Sequence, residues 1–161
     1  MQQKKGAEMI RLLMMMLLGL MVSGPAIALD IIFPNPDLKP QNVVEIQLQS
    51  LQRNDEPMPD AGIAQTWAFA HPNNKLMTGP FERFALMIKS HNYKNMIHHL
   101  DHKIEPVLQT NDRAQFAVSI TTSDSQKMTF KWELMKAQTG EYSGSWMTTS
   151  VSTPLLSGDA L

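Results

Sequence analysis

The chain has 161 residues, a formal net charge of −1 and no cysteine. Without a basic run in its body it lacks the electrostatic footprint of a protein that binds nucleic acid or anionic lipid. Without thiols it has no disulfides, no Cys-type zinc centre, no thiolate nucleophile and no paired-cysteine haem attachment, so apolar packing alone must hold its fold.

In chain order, the first element is a leader, MQQKKGAEMIRLLMMMLLGLMVSGPAIALD. Lys4, Lys5 and Arg11 precede an apolar run from Leu12 to Val22, and Ser23, Gly24 and Pro25 end it. Ala26-Ile27-Ala28 then has the small-x-small form that signal peptidase reads. A helix over Leu12–Val22 would span roughly 16 Å, about half of a ~30 Å hydrocarbon core, too short for a stable membrane span. The expectation is a signal peptide over 1–28, cleaved between Ala28 and Leu29, and an exported mature chain with no stable membrane span. With no cysteine after the apolar run, lipoprotein anchoring is excluded. Cleavage removes Lys4, Lys5, Arg11 and Glu8, which makes the mature chain more acidic.

Residues 29–40 read as an extended lead-in, because FPNPDLKP carries Pro34, Pro36 and Pro40. From Gln41, Val44, Leu48 and Leu51 recur at i, i+4 and i+7, which predicts an amphipathic helix ending at RNDEPMPD. A second helix fits AGIAQTWAFA, with Ile63 and Trp67 one turn apart. HPNNKLMTGP reads as a loop, and a third helix after Pro80 puts Phe81, Phe84, Ala85 and Ile88 on one face. After Asn92 the period changes to two. MTFKWEL alternates Met128, Phe130, Trp132 and Leu134 with polar residues, AQFAVSI does so through Phe116, Val118 and Ile120, and GSWMTTSV is rich in strand formers. QTNDR, SDSQ and TGEYSG supply the turns. The expectation is one α+β domain over 41–152, with three N-terminal helices packed on a curved antiparallel sheet and a flexible tail over 153–161.

The segments LQRNDEP, GIAQTWAFAHP, TGPFERFALMI, YKNMI and FKWEL…GSWMTTSV resemble a bacterial and plastid family of unknown function, within the nuclear transport factor 2-like (SnoaL-like) superfamily of cone-shaped α+β folds. The resemblance runs from about Gln47 to Val151 and rests on Asn54-Asp55, Ala70-His71-Pro72, Gly79-Pro80 with Phe84, and Tyr93. It implies three helices wrapped by a curved sheet with a cavity between them, and it carries over no catalytic residue. Export by the leader gives an expected location in the periplasm or the exterior, or in a thylakoid lumen equivalent if the source is photosynthetic.

The densest group of potential ligands or acid–base side chains is NMIHHLDHK, with His98, His99, Asp101 and His102. On a helix His98 and His102 would lie ~6 Å apart and could share an ion. On a strand they lie ~13 Å apart and cannot. The apolar pattern of the third helix stops at His91, so the reading is a strand over Met96–Ile104, with room for a bend near Leu100. Met96, His98, Leu100, His102 and Ile104 then share one face, while His99 and Asp101 form a solvated pair on the other. No metal and no cofactor are expected. His98 or His102 becomes a cavity acid–base candidate if that face is concave, and Tyr93, Trp67, Phe84 and Trp132 are further cavity candidates. Asn54-Asp55 reads as a turn and cap. There is no G-x-S-x-G, P-loop, H-E-x-x-H or G-x-G-x-x-G motif. Three functions stay open: a non-catalytic module that binds a small apolar ligand or a protein, an isomerase- or dehydratase-like enzyme with a cavity His or carboxylate as base, and a structural domain that pairs as a homodimer.

Overall fold

The structure, a computed structural model, describes residues 29–155. The leader 1–28, and with it the expected export signal, lies outside the described residues, as do residues 156–161. The described chain is α+β, with helices on one face of a four-stranded antiparallel sheet.

Pro40 opens the first helix, α1 (Pro40–Gln52), at a position where its fixed φ suits the helix and its missing N–H costs nothing. Val43, Val44, Leu48 and Leu51 form its buried stripe, and Gln47 is buried among them. The lead-in before it is tied down: the Ile32 backbone donates to Gln65 Oε1 at 2.8 Å and accepts from Gln65 Nε2 at 2.6 Å. The Asn54-Asp55 turn works as expected. Asn54 Oδ1 accepts the Ile63 amide at 3.1 Å, capping the second helix, α2 (Ala61–Ala68), from outside it. Gly62 lets α2 cross close over α1, because a Cβ there would run into the Ser50 carbonyl.

HPNNKLMTGP, read as a loop, is a short helix, α3 (Pro72–Thr78). Pro72 stands at its start, His71 Nδ1 accepts the Asn73 amide at 3.2 Å, and Gly79 at φ 83° ends it. It buries none of its residues, so it has no amphipathic period to betray it; Leu76 and Met77 are 82% and 80% exposed. The third expected helix is therefore the fourth among the described residues, α4 (Phe81–Ile88), with Phe84, Ala85 and Ile88 buried.

The expected strand over Met96–Ile104 is also corrected. Lys94–Met96 form a 3-10 turn, His98 takes a left-handed conformation at φ 56°, and β1 runs only from Asp101 to Gln109. The reversal comes from α1, whose Leu51 carbonyl accepts the His98 amide at 3.0 Å and bends the chain before the sheet begins. Then β2 (Arg113–Thr121), β3 (Lys127–Lys136) and β4 (Trp146–Val151) follow as a meander in spatial order β1-β2-β3-β4.

The register gives the sheet one apolar and one polar face. Phe116 pairs with Trp132, Val118 with Phe130 and Ile120 with Met128 on the helix side. On the outer side Ser119 Oγ and Thr129 Oγ1 meet at 3.1 Å, and Lys131 pairs with Glu133 at 3.3 Å. Trp132, 1% exposed, faces the helices as its place in the alternating run predicts. Both edges are blunted. At β4 the Phe69–His71 segment docks alongside, with the Thr148 amide donating to the Phe69 carbonyl and the His71 amide to the Thr148 carbonyl, both at 2.8 Å. At β1, Lys103, Glu105, Pro106 and a bulge between Pro106 and Leu108 discourage further pairing. Pairing also continues past the point where a tail was expected, since the Leu155 amide donates to the Thr129 carbonyl at 2.8 Å.

Candidate functional site

The helices do not close completely on the sheet. A cavity of about 260 Å³ opens between α1, α2, α3, α4, the 3-10 turn and the helix-side ends of β3 and β4. Leu51, Phe84, Ile88 and Met96 line its apolar walls, with Met77, Met87 and Val151 toward the exposed side. Methionine suits such a wall because its unbranched side chain adjusts to the shape of what it meets.

The polar floor is a hub built on Gln47, itself 1% exposed. Its Oε1 accepts the Thr148 hydroxyl at 2.6 Å and the Trp132 indole N–H at 3.2 Å, while its Nε2 donates to the Thr66 carbonyl at 3.1 Å. The indole N–H is shared with Thr148 Oγ1, also at 3.2 Å. One amide thus links α1 to α2, β3 and β4, and it satisfies groups that would be costly to bury unpaired. At the rim, the Tyr93 hydroxyl donates to the Val151 carbonyl at 3.2 Å and Asn74 Nδ2 to the Thr148 carbonyl at 3.2 Å. Burial pushes the Tyr93 phenol above its usual value, so it stays neutral. Tyr93 is the titratable side chain of this lining; no carboxylate or imidazole belongs to it among the described residues.

Of the residues expected at a cavity, Tyr93, Phe84 and Trp132 line it. Trp67 does not. Its ring packs 4.9 Å from Phe84 and 6.4 Å from Phe81 by centroid, with Lys75 Nζ 5.0 Å above it, and borders a separate shallow groove with Ile31, Phe33 and Tyr142. His98 and His102 lie elsewhere too, and they do not share a face. His98 reaches back from the left-handed turn to Asp55, its Nε2 2.9 Å from Oδ2 on the surface. The Asp55 carboxyl is held below its usual range, first by the Asp60 amide it accepts and also by His98.

His99, expected on a solvated face with Asp101, is 1% exposed. Its Nδ1 is 2.7 Å from the Met96 carbonyl and its Nε2 is 2.8 Å from His102 Nδ1. His102 Nε2 reaches Glu45 Oε1 on α1 at 3.2 Å. The turn at His98 inverts the expected facing, because a residue out of strand conformation resets the inside–outside alternation. Among the described residues no three His, Asp or Glu side chains converge as metal ligands, and no helix is long and apolar enough to cross a membrane.

Gln47 and Thr148 were missed as site residues. Gln47 had a signal: it interrupts the apolar stripe of α1 at i+3 from Val44 and i+4 from Val43, where a polar side chain must find a buried partner. Thr148 had none, since Trp146, Met147 and Thr148 are all buried and no alternation marks its face.

Comparison of the chain with protein-family models, with curated proteins and with solved structures finds no match.

Proposed function

We propose that the chain is an exported, non-catalytic binding module of the nuclear transport factor 2-like cone type, and that it holds a compact apolar ligand in the cavity over Gln47. The observation that carries the reading is the chemistry of that cavity. Its walls are aliphatic, methionine and aromatic side chains, and its polar floor is already saturated by its own hydrogen bonds. Catalysis by proton transfer needs a base or acid within reach of the reacting atom, with a pKa suited to the working pH. The lining offers a neutral phenol already donating to a carbonyl. The imidazole pair and the carboxylates stand outside it, so the isomerase-like alternative loses its base.

At about 260 Å³ the cavity lies just below the ~300–1,000 Å³ of typical small-molecule pockets, which suits a small apolar molecule. The polar outer face of the sheet and its blunted edges give no support to a homodimer built on the sheet. The helix-on-meander layout supports the cone reading, and the bulges at Pro106/Leu108 and Glu133/Leu134 supply points where the sheet bends.

The test is titration of the mature protein with an uncharged apolar fluorescent probe, N-phenyl-1-naphthylamine, alongside a Met87→Trp variant that fills the cavity. Saturable binding that Met87→Trp abolishes without lowering the melting temperature is expected. Equal binding by both proteins would refute the assignment.

A further inference from the structure

The contacts of His99 and His102 impose a proton count. The Met96 carbonyl can only accept, so His99 Nδ1 carries a hydrogen. One hydrogen must lie between His99 Nε2 and His102 Nδ1, and another between His102 Nε2 and the Glu45 carboxylate. Three hydrogens are needed on four ring nitrogens, whereas two neutral imidazoles supply two. All three contacts are made only when the network holds one proton beyond the neutral-ring, ionised-carboxylate state.

We propose that His99, His102 and Glu45 share this excess proton, and that it sets how firmly the Met96 side of the cavity is held. The linkage is geometric. Met96 ends the 3-10 turn, its side chain lines the cavity, and its carbonyl is the last acceptor of a chain anchored on α1 through Glu45. Losing the proton breaks either the Glu45 contact or the contact between the rings, and the turn loses one of its ties to α1, the bond from the His98 amide to the Leu51 carbonyl remaining.

The charge belongs on His102. His99 is enclosed, and burial lowers its affinity for a proton, so it stays neutral with hydrogen on Nδ1. The His102 side chain is 11% exposed and touches Glu45, which is 40% exposed and also accepts Gln49 Nε2 at 2.7 Å. From β1 itself, Asp101 acts on His99 as a favourable charge. From β2, the residue opposite His102 is the uncharged Ile120. His98 is engaged with Asp55, and Lys103 with Glu105 at 2.8 Å, so neither competes for the shared proton.

Glu45→Gln separates charge from structure. A glutamine amide can donate to a bare His102 Nε2, which completes the same three contacts with two neutral rings and no excess proton. The first measurement is imidazole ¹⁵N NMR of the mature protein with the Met96 methyl signal followed across the imidazole range, about pH 5 to 8. In the wild type His102 is expected to be protonated on both nitrogens at the acid end and His99 on Nδ1 alone. The Met96 methyl should shift between the two ends of that range, and in Glu45→Gln it should stay in place. Two neutral rings throughout the range, a Met96 methyl that does not shift across it, or the same Met96 shift in Glu45→Gln would each overturn the proposal.

The consequence for affinity rests on the ligand reading above. Loss of the proton should weaken binding of the uncharged N-phenyl-1-naphthylamine roughly three- to tenfold, the worth of one lost hydrogen bond, and Glu45→Gln should bind it equally at both ends of the range. A probe that binds at no pH refutes the ligand reading, while the methyl titration, which needs no ligand, decides the shared proton.

Discussion

Gln47 and Thr148 allow the floor of the cavity to be tested by a double-mutant cycle. Gln47→Leu keeps the size of the side chain but strands two buried groups, the Thr148 hydroxyl hydrogen and the Thr66 carbonyl. At about 1–3 kcal/mol for each stranded group, the expected loss is roughly 2–6 kcal/mol, a large part of a typical ~5–15 kcal/mol. Thr148→Val is milder, because Gln47 Oε1 still accepts the Trp132 indole N–H, and about 1 kcal/mol is expected. In the double variant the stranded groups are the indole N–H and the Thr66 carbonyl, the same number as in Gln47→Leu alone. The two losses should therefore fall short of additivity by about 1 kcal/mol. Urea melts of the four proteins, compared at constant m-value, measure this directly. Additivity within about 0.3 kcal/mol would mean that the amide and the hydroxyl do not bond. A Gln47→Leu loss below about 0.5 kcal/mol would mean that Gln47 is no hub at all.

Trp132→Ala should cost ~3–5 kcal/mol or prevent folding, whereas Lys131→Ala, on the polar face beside Glu133, should change stability by less than about 0.5 kcal/mol. A more damaging Lys131→Ala in urea melts would put the β3 strand out of phase. Gly62→Ala should cost about 3 kcal/mol or more, the upper end for overpacking, because the obstacle is the α1 backbone at Ser50 and not a side chain that can turn away; a stable Gly62→Ala protein would contradict the close crossing of α1 and α2. Burial lowers the pKa of His71, so the unfolded chain takes up this proton first, and its contribution is complete above the ordinary value of 6.5 and declines as pH falls below it. His71→Asn, which can still accept the Asn73 amide but does not titrate, should flatten that part of the stability–pH curve; an unchanged slope in thermal melts would remove His71 from the acid response.

The parts of the fold that buried an alternating or helical stripe could be read from the sequence. Val44, Leu48 and Leu51 announced α1, Phe84, Ala85 and Ile88 announced α4, and Phe130, Trp132 and Leu134 set the phase of β3. Elements that bury nothing gave no such signal, which is why α3 read as a loop although Pro72 and Gly79 marked both of its ends. The histidine segment misled for a different reason. Period-two reading carries a single alternation through the whole segment, and the left-handed turn at His98 is imposed by a hydrogen bond to Leu51, a residue far away in sequence. Tertiary contact overrode local pattern, and the facings of His98, His99 and Leu100 changed with it, while Asp101 stays exposed as expected. The same holds for the cavity: Tyr93, Phe84 and Trp132 could be named from residue type, but its floor depends on Gln47 meeting Thr148 across the fold.

Two residues of α1 fasten the helix to opposite parts of the sheet. Gln47 reaches β3 and β4 beneath the cavity, and Glu45, two positions earlier and so turned to another side of the helix, reaches the start of β1. Apolar contact alone is non-directional and would be served as well by helices that sink onto the sheet and close the space. Hydrogen bonds have preferred lengths and directions, so the two links hold α1 at a set height and rotation. The apolar volume above Gln47 then stays open at the cost of the packing it forgoes. On this view the polar side chains of α1 are what keep an apolar cavity from collapsing. The two links also differ in kind: the amide hub is indifferent to pH, whereas the Glu45 link needs a proton, so a change of acidity acts on the Met96 side of the cavity and leaves its floor in place.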